Sequence, residues 1–306
     1  MKTASRALWL AAALAFPALA WASEPLTVCL NENAPPYSSR ASHDGGFDYA
    51  VSKALANKLG RNFGVRWFES KLDEDSSGAL EANALLSDGK CQIVAGYPLN
   101  EDTLGQPGSP TARLPDFEGF KASDRRRRIP LGTLQPSKAY HFAPLAIIVG
   151  GPALGKLIQG LADLQGLKIG VEGGTLSDTI LMTYGDGALI DRITHLVPGR
   201  EQLWPSFEHG DFDATLVPLH RFDAYRAQHA DTKLQASGYT FPLGFNFGFV
   251  GLATDAKLMS EIDSALAGML ASVEIATLAS GAGMTYFPPR APDVRKHILL
   301  SDLKAL

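Results

Sequence analysis

A glycine- and hydroxyl-rich run, Gly173-Gly174-Thr175-Leu176-Ser177, lies between a short apolar stretch at 168–171 and a helical pattern at 178–182. Where a parallel strand leads into a helix, the backbone N–H groups at the helix N-terminus can bind an anion. Glycines let the backbone approach a ligand, and the hydroxyls of Thr175 and Ser177 can donate to a carboxylate or a phosphate. The run therefore predicts a ligand-binding loop, although the same hydroxyls, that of Ser177 in particular, could simply cap the helix.

Charged residues beside this loop and in an arginine run bear on the charge of the ligand. Glu172, next to the glycines, would repel a ligand anion or bind a ligand cation. Four consecutive arginines at 125–128 offer planar guanidinium groups, each able to hold a carboxylate through two parallel hydrogen bonds. One of them, facing the ligand, would anchor an acid, while the others would be solvated or paired with surface acids. A nucleic-acid patch is the alternative, but the net charge of −4 argues against it.

The elements that would position these residues alternate along the chain. Short β patterns are separated by amphipathic helical ones, as in an α/β fold with largely parallel sheets. The 306 residues are enough for one large domain or two lobes. We predict strands at 26–30, 65–68, 92–96, 144–149, 168–171, 214–217 and 247–253, and helices at 47–59, 78–86 and 260–280. The stretch 96–122, rich in Pro and Gly, is expected to be an irregular insertion.

The first 22 residues have the features of a secretory signal peptide. Lys2 and Arg6 precede an apolar run at 7–20 that is too short to span a bilayer comfortably. Ala20-Trp21-Ala22 supplies the small residues that a signal peptidase requires, so the mature chain is predicted to begin at Ser23. Cleavage after Ala20 and an uncleaved anchor are the alternatives. We therefore expect the protein in an oxidising compartment such as the periplasm.

The expected oxidising compartment bears on whether the two cysteines form a disulfide. Cys29 lies in the apolar run 26–30 and Cys91 begins another, so each is expected on a buried strand. A Cys29–Cys91 disulfide would close a loop of about 60 residues and add on the order of 4 kcal/mol to stability. Two separate buried thiols are the alternative. A redox-active pair is disfavoured because the sequence has no Cys-x-x-Cys spacing.

Seven segments, in the same order and nearly the same spacing, resemble family-3 extracellular solute-binding proteins. They are LTVCLNENAPPYS, GGFDYAVSKALANKLG, LLSDGKCQIVAG, SDRRRRIPLG, LADLQGLKIGVEGGTLSD, FEHGDFDATLVP and FGFVGLATD. The resemblance implies a two-lobe periplasmic-binding-protein-like fold of type II, each lobe a largely parallel sheet flanked by helices. Ligand would lie between a lobe of residues 23–140 plus 247–306 and a lobe of residues 141–246. Hinges would lie near 137–144 and 243–247.

The resemblance also implies roles for two residues outside the glycine loop. In the family an arginine that follows a Thr-x-Glu or Thr-x-x pattern binds the ligand α-carboxylate, and Arg125, after Ser123-Asp124, corresponds to it by position. Tyr37 lies in the loop after the first strand, where the family often has an aromatic ring over the ligand. Simple core packing would explain Tyr37 equally well.

Two departures from the family pattern bear on the ligand and the partner. Amino-acid binders usually carry an aspartate for the ligand ammonium after the strand at 214–217, where this chain has Pro218. The departure argues against an ordinary α-amino acid. The cysteine pattern, including Gly89-Lys90-Cys91-Gln92, is similar to solute-binding-like accessory proteins of PQQ-dependent methanol and other alcohol dehydrogenases, although Gln92 replaces the usual acid.

The sequence motifs that define several enzyme classes bear on whether the protein is a catalyst. The sequence has no Gly-x-Ser-x-Gly elbow, His-Glu-x-x-His helix, phosphate-binding loop or Gly-x-Gly-x-x-Gly turn. A dehydratase on the same fold would have to use Glu172 as its general acid. We predict instead a monomeric periplasmic protein without catalysis, cofactor, metal site or nucleic-acid partner. Its lobes would close around a small, anionic solute and serve an ABC-type permease or, alternatively, a periplasmic quinoprotein dehydrogenase.

Overall fold

The computed structural model describes residues 24–70, 77–200 and 202–304, apart from the side chains of Arg125, Asp302 and Lys304. The predicted signal peptide at 1–22 lies outside the described residues. The strands are β1 (Leu26–Asn31), β2 (Asn33–Ala34), β3 (Ser38–Ser39), β4 (Phe63–Glu69), β5 (Ile93–Pro98), β6 (Thr111–Arg113), β7 (Asp116–Phe117), β8 (Arg128–Pro130), β9 (Leu134–Val149), β10 (Ile169–Glu172), β11 (Ile193–Leu196), β12 (Ala214–Pro218) and β13 (Gln235–Leu252). The helices are α1 (Phe47–Lys58), α2 (Gly78–Ser87), α3 (Leu176–Thr183), α4 (Leu203–His209), α5 (Leu219–Gln228), α6 (Ala256–Ala271), α7 (Glu274–Gly281) and α8 (Leu300–Lys304).

The principal sheet of the described residues has nine strands in the order β11-β10-β12-β9-β13-β5-β1-β4-β7. Strand β1 is parallel to β4 and β5, and β10 is parallel to β11 and β12. The two long strands β9 and β13 are antiparallel to each other and to the strands beside them. The sheet is therefore two parallel groups joined by an antiparallel pair, which confirms the predicted α/β fold class.

Helix α1 shows why the first parallel group folds locally as it does. Phe47, Val51 and Leu55 are fully buried on one helix face and pack in a core with β1. Gly60 follows the helix with φ of +64°, a left-handed conformation that residues with a Cβ rarely adopt. The helix predicted at 47–59 is confirmed.

Hydrophobic cores lie on both sides of each parallel group. In the first half of the molecule, which we define as β1, β4, β5 and β7 with α1, α2, α6 and α7, Val28 and Leu30 point to one core and Cys29 to another. In the second half, defined as β10–β12 with α3–α5, Leu216 and Val217 likewise point to opposite cores. These cores position the strand ends that carry the site.

Strands β9 and β13 connect the two halves. Their register pairs Pro144 with Gly244 and Ala143 with Phe245, at the level where the chain passes from one half to the other. Both are longer than the predicted strands at 144–149 and 247–253, because their other portions contain many polar residues and lack an apolar run. The exact lobe and hinge bounds remain predictions.

Other differences from the sequence expectations are local. The single helix predicted at 260–280 is two helices, α6 and α7, which are bent by 81° across the break between them. Strand β11 was not predicted, since its residues are only half-buried or exposed. The insertion at 96–122 contains the short strands β6 and β7. Within the described chain, no single helix has the length and apolar character to cross a membrane, although α6 with its flanking turn and α7 meet that test jointly.

Cys29 and Cys91 form a disulfide with a Cα–Cα distance of 5.6 Å. Both cysteines are buried; Cys29 lies in β1 as predicted, whereas Cys91 lies two residues before β5 and not on a strand. The predicted pairing is confirmed, and within the first half the bridge joins β1 to the segment between α2 and β5.

After α7 the chain crosses the molecule once more, in a segment (residues 284–304) that we call the C-terminal strap. Met284 packs in the first half, whereas Leu303 packs in the second. Between them, the Thr285 backbone N–H and hydroxyl donate to Asp223 of α5 at 2.8 and 2.9 Å, and the Arg295 N–H donates to the Leu99 carbonyl at 2.9 Å. The strap is thus a third connection between the halves, beside β9 and β13.

Candidate functional site

The site lies where the C-terminal ends of β10 and β12 meet the middle of β9 and β13. A cavity of about 200 Å³ opens there. Its apolar lining residues are Ala143, Leu145, Val171, Leu176, Leu216, Val217, Pro218, Phe245 and Phe247, and its polar ones are Glu172, Thr175, Ser177, His220 and Arg221. Such a mostly apolar cavity with a few converging polar groups is the usual form of a small-ligand site.

An ion pair between Glu172 and Arg221 supplies the formal charge in the cavity. Glu172 ends β10 and Arg221 lies in the first turn of α5, and the parallel strands bring them together. Arg221 donates to both carboxylate oxygens, with Nη2 at 3.2 Å from Oε1 and Nη1 on Oε2. The Glu172 side chain is 10% exposed and that of Arg221 36%. The two charges therefore cancel, and the guanidinium keeps some access to solvent or ligand.

The polar groups of the glycine loop make more hydrogen bonds within the loop and to helix α3 than the sequence analysis predicted. Thr175 caps α3: its hydroxyl accepts from the Asp178 N–H at 3.2 Å and donates to the Glu172 carbonyl at 2.8 Å. The Gly174 N–H donates to the Asp178 carboxylate at 2.7 Å. An internal carboxylate thus occupies the anion-binding position at this helix N-terminus. Ser177 is buried and lines the cavity, and the cap expected of it belongs to Thr175.

Tyr37 forms one wall of the cleft from the first half. Its ring is buried, with centroids 4.5 Å from His220, 5.1 Å from His141 and 5.4 Å from Phe247. Burial, and next the charge of Asp48, raises the pKa of the Tyr37 hydroxyl well above its usual value. The ring borders a second cavity instead of the 200 Å³ one, so Tyr37 and His220 together form the partition between the two.

Two histidines on either side of Tyr37 were not predicted as site residues. His141 comes from β9 and His220 from α5, and only folding brings them together. Burial is the main cause that lowers both pKa values to about 3, helped by His220 in the first case and by Arg221 in the second. Both rings are therefore neutral at neutral pH. Among the described residues, His141 Nε2 and His220 Nδ1 have no hydrogen-bond partner.

The second cavity, of about 360 Å³, lies in the first half and contains a buried carboxyl group. Asp48 is 2% exposed and accepts a hydrogen bond from the Tyr140 hydroxyl at 2.6 Å. Burial raises its pKa to about 7, against the opposing effect of that hydrogen bond. Gly96 borders Asp48 so closely that an added Cβ would lie 2.3 Å from Oδ2. Ser70 and Ser77 line this cavity at the edges of the segment outside the described residues.

The arginine in the cavity is Arg221, and sequence reasoning missed it. Its signal was its position directly after β12, at the same strand edge as the glycine loop. Arg125 lies in the short helical turn Asp124–Arg126, its side chain is outside the described part of the structure, and its role stays a prediction. Arg127 pairs with Asp88 at 2.6 Å, as expected of a surface arginine.

No group of three or more His, Cys, Asp or Glu side chains in the described part of the chain could hold a metal ion. No family model and no curated protein matches the chain.

Solved structures match it over most of its length. The L-cystine solute receptor of Neisseria gonorrhoeae, in an unliganded open conformation, has 17% identity and a TM-score of 0.60 over 87% of this chain and 96% of its own. The second substrate-binding domain of a protein assigned as an amino acid ABC transporter in Streptococcus pneumoniae has 17% identity and a TM-score of 0.58, covering 83% and 97%. A histidine kinase sensor domain with similarity to periplasmic binding proteins has 14% and 0.51, covering 87% and 98%. At these identities the likeness establishes the fold: the chain has the two-lobe α/β architecture of type II periplasmic solute-binding proteins.

Proposed function

We propose that this protein binds a small solute in the 200 Å³ cavity, which the second half and the connecting strands β9 and β13 line, and carries out no chemical step on it. The observation that carries the proposal is the bidentate pair of the buried Glu172 carboxylate and the partly exposed Arg221 guanidinium, set in a mostly apolar cavity. The cavity lies at the carboxyl edge of parallel strands, where open α/β sheets bind ligands. The fold that it shares with solute receptors supports the same role.

The lining favours a solute whose charges balance. The arginine run alone favoured an anion, but an anion at Arg221 would lie beside the carboxylate of Glu172. A zwitterion could replace the hydrogen bonds between Glu172 and Arg221. Its carboxylate would bind Arg221, and its ammonium group would bind Glu172. Glu172 would then do what the missing aspartate after β12 does in amino-acid binders. The apolar walls and the small volume fit a short aliphatic body, so we propose a small apolar amino acid or a close analogue.

Binding would be coupled to closure of the cleft. Tyr37, from the first half, contacts His220, from the second, with ring centroids 4.5 Å apart. His220 also lines the solute cavity, so a solute that packs against His220 would stabilise the arrangement in which Tyr37 contacts this ring over the open one. We propose that the closed form is recognised by a membrane permease of the ABC type, and that the protein acts in the periplasm after removal of residues 1–22.

A second candidate is an accessory protein of a periplasmic quinoprotein dehydrogenase. The Cys29–Cys91 disulfide, on which that resemblance rests, is present. The partition of Tyr37 and His220 also fills part of the cleft with the protein's own side chains. Such a protein would co-purify with a dehydrogenase or a cytochrome and show no solute-dependent stabilisation. A dehydratase is disfavoured, because both Glu172 oxygens already accept hydrogen bonds from Arg221.

A thermal-shift screen of the mature protein tests the proposal. Each apolar amino acid is compared with its matching carboxylic acid without the ammonium group and its matching amine without the carboxylate. We expect a saturable rise in Tm for the amino acid alone. The rise should be lost in Arg221→Gln and in Glu172→Gln and kept in Arg127→Gln, which changes an exposed arginine that pairs with Asp88.

Three outcomes would count against the proposal. If no amino acid raises the Tm, the small-solute role fails for this class. If the carboxylic acid alone stabilises the protein as much as the amino acid, the balanced-charge ligand is wrong and an anion is correct. If Arg125→Ala weakens binding at least tenfold while Arg221→Gln leaves it unchanged, the site lies at the arginine run instead.

A further inference from the structure

A separate cavity lies on the opposite face of the strands that border the cleft. Side chains alternate along a strand, so Phe245 and Phe247 of β13 line the cleft cavity while Gly244 and Asn246 face the other side. There, with Phe142 of β9 and the C-terminal strap, they enclose about 260 Å³. The cavity is thus formed jointly by the strands that connect the halves and by the strap.

The lining of this rear cavity is strongly basic. Arg290, Arg295, Lys296 and His297 all line it, and its described lining includes no Asp or Glu. The chain as a whole carries a net charge of −4. Three permanent cations around one small cavity therefore contrast with the negative net charge of the whole chain. Their repulsion would be relieved by a bound anion.

The basic residues are held in place by specific contacts. The Asn246 side-chain amide donates to the carbonyls of Arg290 at 2.6 Å and Pro292 at 3.0 Å, and its oxygen accepts from the Arg290 N–H at 3.0 Å. The Arg290 guanidinium lies 4.0 Å from the Phe142 ring centroid. Arg295 Nε donates to the Gly244 carbonyl at 2.9 Å. The strap is therefore fixed against β13, and the charges of Arg290 and Arg295 are positioned before any ligand arrives.

Two of the cations have no ionic partner within the described part of the chain. Neither Arg290 nor Lys296 has a carboxylate oxygen within 4.0 Å there, whereas His297 Nδ1 pairs with Asp102 Oδ2 at 2.8 Å. Both residues are also exposed, so an incoming ion can reach them. A planar guanidinium and a mobile ammonium together suit an oxyanion with more than one charged oxygen.

We propose that this rear cavity is a binding site for a small polyvalent oxyanion, either phosphate or a short polycarboxylate. Arg290 supplies the fork of parallel donors, Lys296 the second charge, and Arg295 adds to the local positive potential. The ion would bridge the strap and β13, on the face away from the cleft. The proposal is independent of what the cleft binds.

Isothermal titration of the mature protein tests the site, with inorganic phosphate and citrate as separate probes and sodium chloride used to keep ionic strength constant. We expect saturable binding of at least one probe. The double variant R290Q/K296Q should bind it at least tenfold more weakly. A matched control, K53Q/K257Q, removes two exposed lysines of α1 and α6 and should bind as the wild type does. Arg221→Gln, in the cleft, should also leave the affinity unchanged.

The two probes and the control variants distinguish a site at the strap from general charge attraction and from binding in the cleft. Phosphate binding alone identifies a phosphate site, and citrate binding alone identifies a carboxylate site. If K53Q/K257Q weakens binding as much as R290Q/K296Q does, the anion responds only to the general charge of the protein. If binding is lost in Arg221→Gln, the anion binds in the cleft. Either result overturns the proposal. The absence of binding by both probes overturns it as well. If R290Q/K296Q does not fold, Lys296→Gln alone should weaken binding at least threefold, and an unchanged affinity would refute the site.

Discussion

The ring of Tyr37 lies 4.5 Å from the ring of His220, centroid to centroid, although one residue follows β1 and the other belongs to α5. Through this contact the two halves of the molecule touch inside the cleft. It also separates the cavity that holds Glu172 and Arg221 from the cavity that holds Asp48. In the proposed function, solute binding and cleft closure would therefore depend on the same small group of side chains.

The Glu172–Arg221 pair should be energetically coupled. Replacing either residue by Gln leaves the other charge in the cavity without its counter-ion. We expect each single variant to lower the free energy of unfolding by about 2 kcal/mol, less than for a fully buried pair because Arg221 is 36% exposed. The double variant should lose less than the two singles combined. Urea denaturation of the four proteins measures the coupling, and strictly additive losses would show that the pair contributes nothing as a pair.

Asp48 should make the protein less stable as the pH rises from about 4 to 7. Its pKa is raised to about 7 in the folded protein, so between the unfolded and folded pKa values the folded state holds one more proton. The free energy of unfolding therefore falls across that window and stays low above it. Asp48→Asn keeps the acceptor for the Tyr140 hydroxyl and carries no charge. We expect the variant to be more stable than the wild type at pH 8 and to approach it at pH 4, as measured by urea denaturation; a constant difference would contradict a titrating Asp48.

His220 should have the opposite pH effect. Burial lowers its pKa to about 3, so between about 3 and 6.5 the unfolded state binds the proton and the folded state does not. Stability is complete above pH 6.5 and is lost as the pH falls below it. His220→Phe cannot be protonated, so its loss of stability between pH 7 and pH 5 should be smaller than that of the wild type. Thermal melts at both values measure the difference, and His43→Phe, which removes an exposed histidine outside the site, serves as the control.

Gly96 should tolerate a methyl group far less well than a glycine of similar conformation. Gly96 and Gly89 have φ values of +66° and +68°. A Cβ at Gly96 would lie 2.3 Å from Asp48 Oδ2, whereas one at Gly89 would have no atom within 4 Å. Gly89→Ala should cost about 1 kcal/mol through backbone strain alone. Gly96→Ala should cost clearly more, as measured by urea denaturation, and equal costs would show that Asp48 can move aside.

Local patterns in the sequence were sufficient for the fold class and for part of the site. Apolar spacing located α1 and the core strands. A helix with one buried face has apolar residues every three to four positions, and a fully buried parallel strand has a short continuous apolar run. The disulfide followed from the presence of two cysteines, each in an apolar run, and from the expected oxidising compartment. Glu172, Thr175 and Ser177 were found because a strand–glycine–helix junction is a local feature, and all three line the cavity.

The sequence by itself determined that this chain alternates strands and helices, that each of its two cysteines belongs to an apolar run, and that a polar glycine loop follows the strand predicted at 168–171. Only the tertiary structure decided which distant residues meet there. Arg221 pairs with Glu172 across 49 positions, and His141 and His220 flank Tyr37. The physical reason is that the order of strands in the sheet brings together strand ends that are far apart in the sequence. The apolar pattern of a segment indicates only whether that segment is buried. The charge of the cavity, and with it the class of ligand, is therefore a property of the folded sheet.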